Sequence, residues 1–145
     1  MLKAIIYTLV QFTWGFPQSL LGLIVWYFVA GSRRFRYRCA NASAWKYSRG
    51  LSLGPYIFVP EGLGEKSERE LIVHEYGHTI QSLIFGPFYL PFFVLPSLIW
   101  AGVPALSRRR HARSVSYYSL YTERLANWLG ERVSGDESPG QRLVD

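Results

Sequence analysis

No charged residue occurs across the 28 positions 4–31, and about 20 apolar residues suffice for a helix to cross a bilayer. An uncharged run of that length predicts a membrane-embedded segment. Gly15-Phe16-Pro17 interrupts it, which predicts a kinked span or a helical hairpin dipping into one leaflet. The run is too long for a cleaved signal peptide. Arg33, Arg34, Arg36 and Arg38 follow at once, against Lys3 in front. If the segment crosses once, the positive-inside rule puts residues 33 onward in the cytoplasm.

The formal charge of +6, the 17% aromatic content and the eight prolines follow from this architecture. The first acid in the chain is Glu61, so the amino-terminal region is cationic and suited to anionic lipid headgroups. Arginines beside an uncharged apolar stretch read as a membrane surface, and no nucleic acid is expected as a partner. At 145 residues the chain is a single membrane-associated domain, 1–145. One cysteine, Cys39, excludes an intramolecular disulfide.

His74-Glu75-Tyr76-Gly77-His78 is an HExxH pentad that uses two of the three histidines. On a helix, residues four apart share a face, so His74 and His78 can converge on one tetrahedral Zn²⁺ with Glu75 beside the attacking water. The flanking residues predict such a helix. Ser67-Glu68-Arg69-Glu70 reads as a capping box and Gly86-Pro87 as a stop, giving a helix from about 68 to 85 within the segment 67–86. Val73, Tyr76, Ile80, Leu83 and Ile84 form its inward stripe, and Gly77 admits a close backbone.

A catalytic zinc site keeps three protein ligands and an open position. No Asp or Glu lies between Tyr76 and Thr122, so Glu123 is the first downstream carboxylate. It sits in a segment of helical spacing, 115–133, with Gly130 as its stop. Asn127 shares a face with Glu123 and is placed to orient a zinc-bound imidazole. His111 is the competing ligand, but Arg108, Arg109, Arg110 and Arg113 around it disfavour a dication there.

With these residues the chain resembles the gluzincin clan of zinc peptidases, whose signature is HExxH on one helix and a Glu in an ExxxD-like motif on a later one. Within the clan it looks most like the small membrane-associated members, such as the prenyl-protein and heat-shock membrane endopeptidases. The resemblance implies His74, His78 and Glu123 as zinc ligands and Glu75 as general base and acid. Asn127 stands where the family usually has Asp. It also implies a strand at the rim of the cleft on which an extended peptide lies by strand addition.

Residues 33–60 supply two stretches for that strand, 35–47, rich in aromatic and basic residues, and 50–60, with a β-prone run before a Pro-Glu-Gly turn; they predict a small antiparallel sheet of two or three strands, or a packing hairpin with no substrate role. The second uncharged stretch, 83–106, carries Pro87, Pro91, Pro96 and Pro104. His78 before it and Glu123 after it must reach one ion, so a simple crossing would oblige residues 107–122 to return through lipid. Residues 87–106 are therefore expected as a Pro-broken, re-entrant or interfacial hairpin covered by residues 4–31. Residues 134–145 read as a mobile tail.

The expected fold class is α+β, mainly helical, with membrane-embedded or re-entrant helices. The expected activity is zinc-dependent peptide hydrolysis at a membrane surface, on its cytoplasmic side, acting on peptide or membrane-proximal protein segments. Tyr117, Tyr118, Tyr121 and His111 are the candidate oxyanion donors. Two alternatives stand beside it: a non-catalytic membrane anchor or interaction protein whose pentad is coincidental or a relic, and a metal-binding protein without turnover.

Overall fold

Tyr56-Ile57-Phe58-Val59-Pro60 is buried along its whole length, and the fold is arranged to cover both faces of this strand. The computed structural model describes residues 2–29, 31 and 33–140. In chain order the elements are helices α1 (Leu2–Thr13) and α2 (Phe16–Phe28), then strands β1 (Arg34–Tyr37), β2 (Ala40–Trp45), β3 (Leu51–Leu53) and β4 (Tyr56–Pro60). Helix α3 (Glu65–Phe85) follows, then α4 (Leu95–Gly102), α5 (Pro104–Ala112) and α6 (Tyr121–Ser134). This is the mainly helical α+β class that the sequence predicts.

The sheet differs from the two or three antiparallel strands expected. It has four strands in the order β1-β2-β4-β3, with β2 and β4 parallel and the other two pairings antiparallel. The reason is burial. A strand covered on both faces reads as a continuous apolar run and takes an interior place. Ile57 and Val59 pack with Ala40, Ala42, Ile72, Tyr76 and Ile80, while Tyr56 and Phe58 pack with Trp45, Phe12, Val25 and Trp26. The sheet is thus a middle layer between α3 and the α1–α2 pair, and β3 is left on its edge.

The long uncharged run is two helices broken at Trp14 and Gly15. The break is tied to α3 by polar side chains. Gln11 Nε2 donates to the Thr79 carbonyl at 2.8 Å, and Gln18 Nε2 to Ser82 Oγ at 3.0 Å and the Gly86 carbonyl at 2.8 Å. Among the described residues no single helix is long and apolar enough to cross a membrane. Residues 90–102 and 104–112 meet that test only as a pair, bent by 73°. The stretch expected as a broken hairpin is a 3-10 turn (Gly86–Phe88), a π-helical turn (Leu90–Val94) and α4, with α5 turning away at Val103.

Several local expectations are corrected. Helix α3 begins at Glu65 with Gly64 as its cap and no side-chain cap bond, so Ser67 and Glu70 lie inside the helix rather than forming a capping box. Glu65 and Glu68 in the first turn complement the positive end of the helix dipole instead. Ile84, expected inward, is 52% exposed. Gly130 does not stop α6, which runs on to Ser134 and ends at Gly135 with φ 78°. A Cβ at Gly130 would overlap the Val73 carbonyl, so this glycine serves helix packing. Helix α6 also starts later than the expected segment, after a 3-10 turn over Tyr117–Ser119. Of the expected tail, residues 141–145 lie outside the described residues. Nearer the helix, Ser138 Oγ donates to Glu131 Oε1 at 2.6 Å and Tyr37 Oη to Asp136 Oδ2 at 2.6 Å.

Candidate metal centre

Helices α3 and α6 cross where two glycines remove the side-chain spacing. A Cβ at Gly77 would overlap the Ala126 carbonyl, as one at Gly130 would overlap that of Val73. This close crossing brings the pentad of α3 against the first turns of α6. His74, His78 and Glu123 are buried, and one ligand atom from each lies within 4.8 Å of the others. His74 Nε2 is 3.0 Å and His78 Nε2 3.3 Å from Glu123 Oε2.

The tautomers of both imidazoles follow from their other bonds. His74 Nδ1 lies 2.7 Å from Asn127 Oδ1, and Asn127 Nδ2 donates to the Gly140 carbonyl at 2.8 Å. His78 Nδ1 lies 2.7 Å from Gln81 Oε1, and Gln81 Nε2 donates to the Thr122 carbonyl at 2.7 Å. Each amide is oriented by its own N–H donor, so its oxygen faces the ring and accepts from Nδ1–H. Both Nε2 atoms then face the Glu123 carboxylate, where each can hold a proton or a cation. Amide partners of this kind fix ring orientation in metal sites. The donor set, two imidazoles and one carboxylate with oriented outer partners, fits a divalent cation.

Without a cation the three groups share protons. Burial opposes charge on His78, but Glu123 outweighs it, helped by Glu75 and Gln81, and holds the imidazolium up to about 9. Burial likewise works to raise the Glu123 pKa, and the two histidines override it to hold the carboxyl well below its ordinary range.

Glu75 stands beside this group on the next position of α3. Its Oε2 accepts from Ser52 Oγ at 2.8 Å, and the same hydroxyl lies 3.0 Å from the Glu75 carbonyl. A Cβ at Gly50 would overlap the Glu75 carboxylate, so the loop entering β3 closes over it. Burial raises its pKa, with His74, His78 and Ser52 opposing. A carboxyl shifted upward suits a group that both takes and returns a proton.

The four candidate oxyanion donors separate. The Tyr118 ring packs on His74 with centroids 4.9 Å apart. Burial, Glu123 and Glu75 all raise the Tyr117 pKa, and its phenol faces the Glu123 carboxylate. The Tyr121 hydroxyl instead donates to the Phe92 carbonyl, and His111 is exposed on α5. The structure thus brings Tyr117 and Tyr118 to the group and leaves Tyr121 and His111 away from it.

Sequence reasoning missed Gln81, Ser52 and Tyr89. Gln81 was within reach of it, lying three residues after His78 on the same helix face. Ser52 and Tyr89, whose hydroxyl donates to the Ser52 carbonyl at 3.4 Å, carry no local signal because both come from elements distant in sequence. Comparison with family models, characterised proteins and solved structures gives no match.

Proposed function

We propose that the chain is a membrane-associated, zinc-dependent endopeptidase of gluzincin type. The observation that carries this reading is the aim of both His Nε2 atoms at Glu123, with Nδ1 of each ring engaged by an oriented amide. His74, His78 and Glu123 would hold the ion, and zinc suits two imidazoles and a carboxylate. Bound there, it supplies Lewis acidity and a water acidified to a pKa of about 7. Glu75 would accept a proton from the hydrolytic water as that water adds to the scissile carbonyl. It then delivers the proton to the leaving amine as the C–N bond breaks. Ser52 steadies the carboxylate, and Tyr117 is placed to donate to the developing oxyanion.

Strand β3 supports a peptide substrate. It is an edge strand, and its Ser52 side chain touches the proposed base, so an extended peptide added to this edge would lie against Glu75. The Tyr89 hydroxyl occupies the Ser52 carbonyl and would give way to the peptide.

Membrane association is supported by the apolar surface of α1, α2 and residues 84–99. Leu9, Phe16, Phe28, Phe88, Phe92 and Leu98 are each more than half exposed, which suits acyl chains better than water. The exposed Arg33, Arg34, Arg108 and Arg109 suit anionic headgroups on the cytoplasmic side. Substrates are then membrane-proximal peptide segments.

Burial favours one other reading. His74, Glu75, His78 and Glu123 are each at most 8% exposed, and closed sites are typical of structural metals. Metal binding without turnover would look like this. Glu75→Gln separates the two when hydrolysis of a quenched-fluorescent peptide library is measured on vesicle-bound protein. Hydrolysis lost with zinc retained supports the peptidase, and undiminished hydrolysis would refute the role of Glu75. A wild type that binds zinc and cleaves nothing would leave the structural metal site. A non-catalytic anchor has no need of the Glu123 contact with both histidines.

A further inference from the structure

Arg110 is 8% exposed, while Arg108, Arg109 and Arg113 around it are exposed. Its guanidinium carbon lies 5.2 Å from the centroid of the Trp100 ring and 5.4 Å from that of Tyr117. The Trp100 indole N–H donates to the Tyr117 carbonyl at 3.0 Å, so the two rings are fixed as a pair around the cation. Among the described residues no carboxylate pairs with Arg110, and none gives its Nε a hydrogen bond. Ring faces offset part of the cost of burying a charge, but they do not satisfy a guanidinium N–H lying in the ring plane. Among the described residues no oxyanion meets this arginine.

The stack adjoins the metal-ligand group. Tyr117 packs edge-on against Tyr118 with centroids 5.4 Å apart, and Tyr118 packs on His74 at 4.9 Å. The exposed arginines of α5 point to solvent or headgroups, whereas this one is enclosed beside the proposed reaction centre. Its planar fork matches a carboxylate in two-point geometry.

We propose that Arg110, framed by Trp100 and Tyr117, binds a carboxylate of the peptide substrate, either a chain terminus or an acidic side chain close to the scissile bond. This rests on the peptidase reading and adds to it a substrate class. Trp100 and Tyr117 are positioning residues here, and Arg110 is the group that touches the ligand.

The test uses the full chain in detergent with zinc supplied, carrying Glu75→Gln so that binding is read without turnover. The probes are N-acetyl-Ala-Leu-Phe as the free acid, the same peptide as its amide, and N-acetyl-Ala-Glu-Phe-amide against its Gln counterpart. Vesicles of phosphatidylcholine with and without phosphatidylglycerol form a separate arm. At least one carboxylate probe should bind about tenfold more tightly than its neutral partner. That preference should vanish in Arg110→Gln and survive in part in Arg110→Lys. The acid or the Glu peptide, whichever shows it, identifies the source of the carboxylate.

Equal affinities for both matched pairs in the unaltered Arg110 protein would overturn the proposal, and this comparison needs no Arg110 variant to fold. Loss of phosphatidylglycerol binding in Arg110→Gln with no change in peptide preference would also overturn it, in favour of a lipid phosphate. Wild-type hydrolysis without a carboxylate preference would remove this proposal alone. A preference in a protein that never hydrolyses peptides would keep the anion site and remove the peptidase.

Discussion

Gly77 of α3 lies against the carbonyl of Ala126 on α6 so closely that a Cβ there would overlap it, and this contact sets the separation of the two helices that carry the candidate ligands. Alanine is favoured over glycine in a helix by about 1 kcal/mol, yet overpacking a tight contact costs about 1–3 kcal/mol. Here the obstacle is backbone, so the cost wins. Gly77→Ala should lower the melting temperature and weaken zinc binding at least about tenfold. Gly102, in α4 with nothing within 4 Å, provides the control, and Gly102→Ala should lower neither the melting temperature nor the zinc affinity. Calorimetry and zinc titration on both variants check this; unchanged zinc affinity in Gly77→Ala would refute the role of the crossing.

Asn127 and Gln81 are expected to act through the imidazoles they orient. Removing an outer hydrogen bond of this kind costs about 10–100-fold in metal affinity. Asn127→Ala and Gln81→Met should each do so, measured by competition with a fluorescent chelator. Asn127→Asp should retain affinity, because a carboxylate still accepts from His74 Nδ1–H. An Asn127→Asp variant as weak as Asn127→Ala would count against this arrangement.

The metal-free protein should lose stability as pH rises from neutral. His78 has its pKa raised from 6.5 to about 9. A group whose pKa is raised by folding contributes fully below its unfolded value and loses that contribution as pH passes through the folded one. The window is therefore about 6.5 to 9. Glu123 has the opposite sign: its depressed pKa contributes above the ordinary carboxylate range and is lost on strong acidification. Urea melts of the metal-free chain at pH 6, 7.5 and 9.5 should show the decline on the alkaline side.

The same pairing predicts proton release when the metal enters near pH 7.5, since the His78 imidazolium must give up its proton to become a ligand. Titration calorimetry in buffers of different ionisation enthalpy should show it. A heat independent of buffer would contradict the Glu123–His78 proton sharing.

Ser52→Ala removes the bond to Glu75 Oε2 without touching a ligand. Zinc content should be unchanged, and the rate of peptide cleavage should fall by less than the factor of about 10²–10⁴ expected for losing the base itself in Glu75→Gln. Peptide kinetics on both variants, with zinc content measured in parallel, decide this. An Ser52→Ala rate equal to wild type would show that the hydroxyl does not position the base.

The parts of this fold that sequence makes legible are those set by helical spacing. His74, Glu75 and His78 on one helix, and Glu123 with Asn127 on another, follow from a period of 3.6 and from the absence of other carboxylates between them. The break at Gly15 follows from the Gly and Pro beside it. The sheet order was not legible, because insertion of Tyr56–Pro60 between two other strands depends on helices covering both its faces. Gly130 read locally as a helix stop, but its role is set by the Val73 carbonyl of a helix more than fifty residues away. Ser52, Gly50 and Tyr89 meet Glu75 only through tertiary packing, and nothing in their own neighbourhoods marks them.

The proposed function requires one zinc ion held by His74, His78 and Glu123. Metal content by mass spectrometry on detergent-purified full chain, compared with His78→Ala and Glu123→Ala, tests it most directly. About one zinc per chain is expected in the wild type, with its loss in both variants. A wild type that takes up no zinc after supplementation, or variants that retain it, would rule out this metal site.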